Sequence, residues 1–140
     1  GVVLYHASEQ VSQEQVDKFL QLMEKAGGLY PLEESLMDVG AAVSGCGPAY
    51  AYLVLDAMAD GGVACGLPRA DAVRFAAQTL LGAAQMVLTT GKHPDQLKNE
   101  VCSPGGSTIQ GVRTLEQRAV RAAMMDAVIT ACDKNAALGK

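Results

Sequence analysis

The stretch PAYAYLVLDAMADGGVAC, residues 48–65, decides the fold class. Its only charges are Asp56 and Asp60, four residues apart, so one polar line a single side chain wide runs along an otherwise apolar helix. A helix apolar nearly all the way round has to be surrounded by other helices. The next helix is expected from Pro68 to about Thr90, and its polar residues Asp71, Arg74, Gln78, Gln85 and Thr89 again fall on one narrow line at steps of three, four or their sum. At 1.5 Å per residue the two helices are about 27 and 34 Å long, and they carry more apolar surface than a 140-residue chain covers alone. A partner subunit is the natural cover. The small residues Ala76, Ala77, Gly82, Ala83 and Ala84 would let helix backbones approach closely, and an obligate homo-oligomer is expected.

On either side of this pair the pattern stays helical back to residue 36. A short helix over 36–43 runs into SGCGP, where Gly45 and Gly47 break it and Pro48 suits the first position of the long helix. Downstream, helices are predicted over 94–101, 105–116 and 117–135. Arg113, Glu116, Arg118 and Arg121 read most simply as a solvated face or as subunit-edge charges.

Before residue 35 the pattern changes to strand, helix, strand. Residues 2–5 and 29–32 are short β-rich runs. Between them Ser12 and Gln15 form a capping-box signature, Val11 and Val16 a hydrophobic staple, and Val16, Phe19, Leu20 and Met23 the apolar stripe of a helix closed by Gly27 and Gly28. Two strands make no stable sheet alone, so the unit is expected to be the trailing edge of a larger α/β domain, with a small β-ribbon lid on the helices as the alternative.

Composition narrows the function classes. A formal charge of -4, a pI near 5.0 and 4% aromatic residues argue against nucleic acid as a partner. Cys46, Cys65, Cys102 and Cys132 are widely spaced, with only His6 and His93 as imidazoles, so neither a zinc site nor a disulfide framework is expected, and a reducing cytosol is the default. The opening GVVLYHASEQ has neither a basic leader nor a long apolar segment, so no signal peptide is expected. The longest uncharged stretch, 75–91, contains Gln78, Thr79, Gln85, Thr89 and Thr90 and reads as a bundle helix rather than a membrane span.

Chemistry concentrates in VCSPGGST, residues 101–108. A helix start carries four N–H groups without intrahelical acceptors and partial positive charge. Ser103 is expected as N-cap and Pro104 as first helical residue, with Gly105 and Gly106 removing the Cβ atoms that would hold a ligand off the N–H groups of residues 105–108, and Ser107 and Thr108 adding hydroxyls. No lysine follows as in a phosphate loop, so a small carboxylate fits better than a phosphate. An ordinary capped helix whose glycines only permit close packing is the competing reading. Cys102 beside a helix start is a weaker candidate nucleophile, with no base identifiable nearby in sequence.

Three blocks, SGCGPAYAYLVLDAMADGGVACGLPR at 44–69, AAQTLLGAA at 76–84 and HPDQLKNEVCSPGGSTIQGVRTLE at 93–116, together resemble the C-terminal helical domain of the pyrroline-5-carboxylate reductases. The resemblance covers about 36–135 and implies a mainly α fold. That fold is an interlocking helical dimerisation bundle of the 6-phosphogluconate dehydrogenase C-terminal type over 36–140, preceded over 1–35 by a short strand-helix-strand remnant of a Rossmann-type domain. It implies reduction of 1-pyrroline-5-carboxylate to L-proline with NADPH or NADH, in a homodimer or a larger ring of dimers. The substrate carboxylate would lie at Ser103, Pro104, Gly105, Gly106, Ser107 and Thr108, with Thr108 near the ring nitrogen. Ser44, Gly45, Cys46, Gly47 and Pro48 would lie near the cofactor, where the family pattern reads S-G-S-G-P and Cys46 replaces the middle serine. No G-x-G-x-x-G fingerprint occurs in the chain, so the cofactor would be held mainly by a preceding domain. A non-catalytic helical dimerisation module, or a reductase of related imines or β-hydroxyacids, are the readings this resemblance competes with.

Overall fold

A computed structural model describes residues 1–138, so Gly139 and Lys140, the last positions of the expected helical domain, lie outside the described residues. The chain forms two compact units, Gly1–Ala49 with the segment from Met125 on, and Tyr50–Met124.

In the first unit, β1 (Val2–Tyr5) and β2 (Gly28–Pro31) pair in parallel, with Val2 opposite Gly28 and Tyr5 opposite Pro31, and α1 (Gln13–Met23) crosses between them. The sequence dictates this crossover closely. The Ser12 side chain accepts from the Gln15 N–H while the Ser12 N–H donates to Gln15 Oε1 at 2.9 Å, both halves of a capping box. The Phe19 ring of α1 meets Tyr5 of β1 with centroids 5.6 Å apart. A 3-10 turn, Glu34–Leu36, which the sequence pattern did not indicate, leads into α2 (Met37–Ser44). Gly40 permits the close approach of α2 to the strand unit, since a Cβ there would come 2.5 Å from Leu4 Cδ1 and 2.7 Å from Leu32 Cδ2. Asn135 of α7 (Val120–Leu138) donates to the Asp38 carbonyl at 3.2 Å.

The second unit holds most of α3 (Gly47–Ala64), together with α4 (Arg69–Thr90), α5 (Pro94–Val101) and α6 (Ser107–Gln117). Ala59 of α3 packs with Ala72 and Ala76 of α4, flanked by Leu55 and Val63. The α3–α4 corner closes through Gly66 at φ +101°, the Leu67 N–H on the Gly62 carbonyl at 3.0 Å and an Arg69–Asp60 ion pair. Gly91, at φ +65°, ends α4 as a left-handed cap bonded to the Val87 carbonyl. Pro94 opens α5 behind His93, whose ring nitrogen accepts from the Asp95 N–H at 3.2 Å.

Two expectations need correction. The final helix begins at Val120 rather than at 117, because Ala119 takes a left-handed φ of +54° and breaks the chain between α6 and α7. And α6 begins at Ser107 rather than 105.

Among the described residues the buried apolar side chains are four alanines, Ala42, Ala59, Ala72 and Ala76, and no large side chain is fully buried. Tyr52 and Leu53 on α3 and Leu81 and Leu88 on α4 stand between 62% and 71% exposed. No helix among the described residues is long and apolar enough to cross a membrane.

Candidate functional site

The segment between α5 and α6 is built as a tight turn. Cys102 ends α5 with its N–H on the Asn99 carbonyl at 3.1 Å. Ser103, Pro104, Gly105 and Gly106 then form a four-residue turn closed by the Gly106 N–H on the Ser103 carbonyl at 3.1 Å. Proline sets φ at the second position, and glycine at the third takes the positive φ, here +69°, that a type II turn demands. This corrects the expectation of Ser103 as N-cap and Pro104 as first helical residue: the Pro-Gly pair is used by the turn, and the cap is Gly106, with φ -72° and ψ 169°.

The correction sharpens the chemistry. No side chain caps α6, so the N–H groups of Ser107, Thr108 and Ile109 face outward with the positive end of the helix dipole behind them. The Gly106 N–H, expected to be open, is already satisfied by the turn. Nothing stands within 4 Å of a Cβ built on Gly105, whereas one on Gly106 would collide with the Ser103 hydroxyl. The mouth is solvent-exposed at Ser103, Pro104, Gly105, Ser107 and Thr108. Such a mouth can take a small anion on bare amides, with two hydroxyls beside it.

Residues 44–48 belong to the first unit and 103–108 to the second. The Ser44 hydroxyl donates to the Gly40 carbonyl at 2.9 Å, which commits its proton to α2. The Gly45 and Cys46 N–H groups both point to the Ala41 carbonyl, at 2.8 and 3.2 Å, and finish the helix. Gly47 is the first residue of α3 and Pro48 the second, one position later than expected. A Cβ on Gly47 would meet nothing within 4 Å, so the backbone there is open to close approach.

An ion network missed in the sequence lies in the same unit as the α6 mouth. Arg121 of α7 pairs with Glu116 of α6 at 3.1 Å and with Asp95 of α5 at 3.6 Å, and Lys98 holds the same Asp95 oxygen at 2.9 Å. Hydrogen bonding from Lys98, then its charge, draws the Asp95 carboxyl below its ordinary range, with Arg121 and His93 contributing. Lys92 does the same to Glu100 through a 2.8 Å hydrogen bond. The Arg121 guanidinium is held charged more firmly by its bond to Glu116. Spacing gave no clue to this arrangement, because residues five apart do not share a helix face. Among the described residues no group of three or more His, Cys, Asp or Glu side chains is placed to hold a metal ion.

Comparison with known proteins bears on the whole arrangement. The sequence model for pyrroline-5-carboxylate reductase dimerisation matches residues 34–138. The pyrroline-5-carboxylate reductase of Methanosarcina acetivorans is 49% identical over 121 residues, covering 86% of this chain and 45% of that protein. That of Synechocystis is 43% identical over all 140 residues, 52% of its own length. The chain thus spans about half the length of the curated relatives it matches. Two solved structures superpose on nearly all of it. The Coxiella burnetii pyrroline-5-carboxylate reductase has a TM-score of 0.92 at 32% identity, covering 99% of this chain and 52% of that one. The Plasmodium falciparum pyrroline carboxylate reductase, solved with NADP bound, has a TM-score of 0.90 at 33% identity, covering 99% and 56%. A match that runs from the 3-10 turn to the last described residue of α7, through both apolar helices and the Pro-Gly turn, means that this chain belongs to the pyrroline-5-carboxylate reductase dimerisation family.

Proposed function

We propose that this chain is the C-terminal part of a pyrroline-5-carboxylate reductase, contributing the dimer core and the site for the substrate carboxylate in the reduction of 1-pyrroline-5-carboxylate to L-proline. Residues 1–35 are then the end of a Rossmann-type nucleotide-binding domain and 36–140 the helical dimerisation domain. The observation that carries the reading is the uncapped start of α6 behind a Pro-Gly turn, a carboxylate receptor built from backbone amides.

The ring carboxylate accepts from the N–H groups of Ser107, Thr108 and Ile109, with the turn of Ser103, Pro104, Gly105 and Gly106 walling one side. The Ser107 hydroxyl lies at the same rim. Thr108, in the first turn, orients the imine nitrogen by a hydrogen bond from its hydroxyl. That hydroxyl is too weak an acid to titrate usefully, so its role is placement rather than decisive proton donation. NADPH or NADH, when bound, supplies the hydride to the imine carbon. This chain's share in holding it fits an edge contact only. Open backbone at Gly47, the chain around Ser44, Gly45 and Pro48, and the Cys46 thiol suit the approach of a flat ring, while no glycine fingerprint for the phosphates is present. Fixing the imine by its acid group makes positioning the main catalytic contribution of these residues.

The exposed apolar faces of α3 and α4 support a homodimer as the working unit, which we extend to a larger ring of dimers. Four unpaired cysteines support a reducing, cytoplasmic setting. The test uses the gene product with the residues encoded upstream of Gly1. It should oxidise NADPH only when given the imine, and Thr108→Ala should lower turnover while leaving the dimer intact. Absence of imine-dependent oxidation in the wild type would sink the enzyme reading and leave a non-catalytic dimerisation module.

A further inference from the structure

The two helices that flank the turn at 103–106 are about 12 and 16 Å long. Asp95 is the second residue of α5 and Glu116 the next to last of α6, so in a straight chain their carboxylates would stand at opposite ends of the segment. Instead both meet one guanidinium, Arg121, at 3.6 and 3.1 Å. The segment therefore doubles back at the Pro-Gly turn, and Arg121 fastens its two far ends together.

The corner at Ala119 makes this possible. In an unbroken helix Glu116 and Arg121 would project about 140° apart. The left-handed φ of +54° at Ala119 and the Ala119 N–H on the Glu116 carbonyl at 3.0 Å turn the chain, so that Arg121 faces back over the end of α6. A non-glycine residue held in this conformation marks a corner imposed by its surroundings. Asp95 is meanwhile steadied from its own helix by Lys98.

Resting on the reading of the α6 mouth as the carboxylate site, we propose that Arg121 is a positioning residue. By tying α5 to α6 at the ends remote from the turn, it sets the angle between them and so the direction in which the bare N–H groups of α6 point. A single exposed ion pair contributes little to stability, so the effect falls on geometry rather than on folding. One terminal nitrogen, Nη2, faces both carboxylates, so what the task requires is a long side chain carrying a positive charge between them.

The experiment measures steady-state kinetics on the gene product that includes the upstream residues. Arg121→Met should raise KM for 1-pyrroline-5-carboxylate about fivefold, with KM for NADPH and the dimer mass unchanged. Arg121→Lys should return KM to within about twofold of wild type. The double variant Asp95→Asn with Glu116→Gln should reproduce the defect while Arg121 is intact. An unchanged imine KM in Arg121→Met overturns the inference, as does a rise in both KM values together, which would mean general loosening. Should Arg121→Met not fold, the double variant decides by the same two KM values. An active wild type with an indifferent Arg121→Met separates failure of this inference from failure of the function. A wild type without imine-dependent oxidation overturns both.

Discussion

Replacing Leu81 by glutamate separates a dimer core from an ordinary exposed helix face. Leu81 sits on α4 and is 62% exposed in the single chain. Leucine and glutamate have similar helix propensity, so a monomer should tolerate the change. With α4 at the dimer interface the exposed fraction would be covered, and burying it would contribute about 1 to 2 kcal/mol per copy. Two-fold symmetry counts every interface residue twice, so the lost burial is about 2 to 4 kcal/mol. Each introduced carboxylate is also desolvated without a partner, at a further cost of several kcal/mol per ion. A total of at least about 6 kcal/mol raises the dimer dissociation constant by roughly four orders of magnitude. Sedimentation equilibrium from nanomolar to tens of micromolar should show a dimer for the wild type and a monomer, or an unfolded chain, for Leu81→Glu, with Leu81→Ala intermediate. A dimer of unaltered affinity and Tm in Leu81→Glu would refute the argument that the apolar face of α4 is an interface.

Other expectations follow from individual backbone and charge features. Ala119 holds a left-handed φ at a cost of about 1 to 2 kcal/mol, so Ala119→Gly, after allowing for glycine's freedom in the unfolded chain, should stabilise by about 0.5 to 1 kcal/mol, read as a rise in Tm of about 2 °C. Gly105→Ala meets open space but must keep φ near +69°; it should cost about 1 to 2 kcal/mol of backbone strain, lowering Tm and raising the imine KM as the turn reopens. Because the folded-state carboxyls of Asp95 and Glu100 titrate below their ordinary values, their stabilisation is present above those values and is lost as pH falls through the depressed ones. The Tm of the wild type should therefore decline more between pH 5 and 3 than that of Asp95→Asn, and equal declines would remove Asp95 from the account.

Local features of this chain were legible residue by residue. The Ser12–Gln15 capping box, the apolar stripe from Val16 to Met23 and Pro94 at the head of α5 each follow from interactions within one turn, and all stand where those interactions require. The helical class was equally plain from 48–65, because a helix with one polar line has no soluble existence outside a bundle. Misreadings arose where one residue satisfies two local rules. Pro104 suits a helix start and also the second position of a turn, and the positive φ of Gly105 settled it as a turn, moving the helix start to Ser107. Ala119 carries no sequence signal for a left-handed corner, since alanine favours helix; neighbouring structure imposes that conformation.

The sequence by itself determined that this is a helical chain whose long helices are apolar nearly all the way round and that a serine-proline-glycine-glycine segment precedes a helix start, because periodicity, capping and glycine stereochemistry act within a few residues. Tertiary structure alone decided which amides are bare and that Asp95 and Glu116, twenty-one positions apart, share Arg121. Those facts depend on where the chain turns back on itself, and a turn's direction is fixed by packing and charge between segments that no local pattern records.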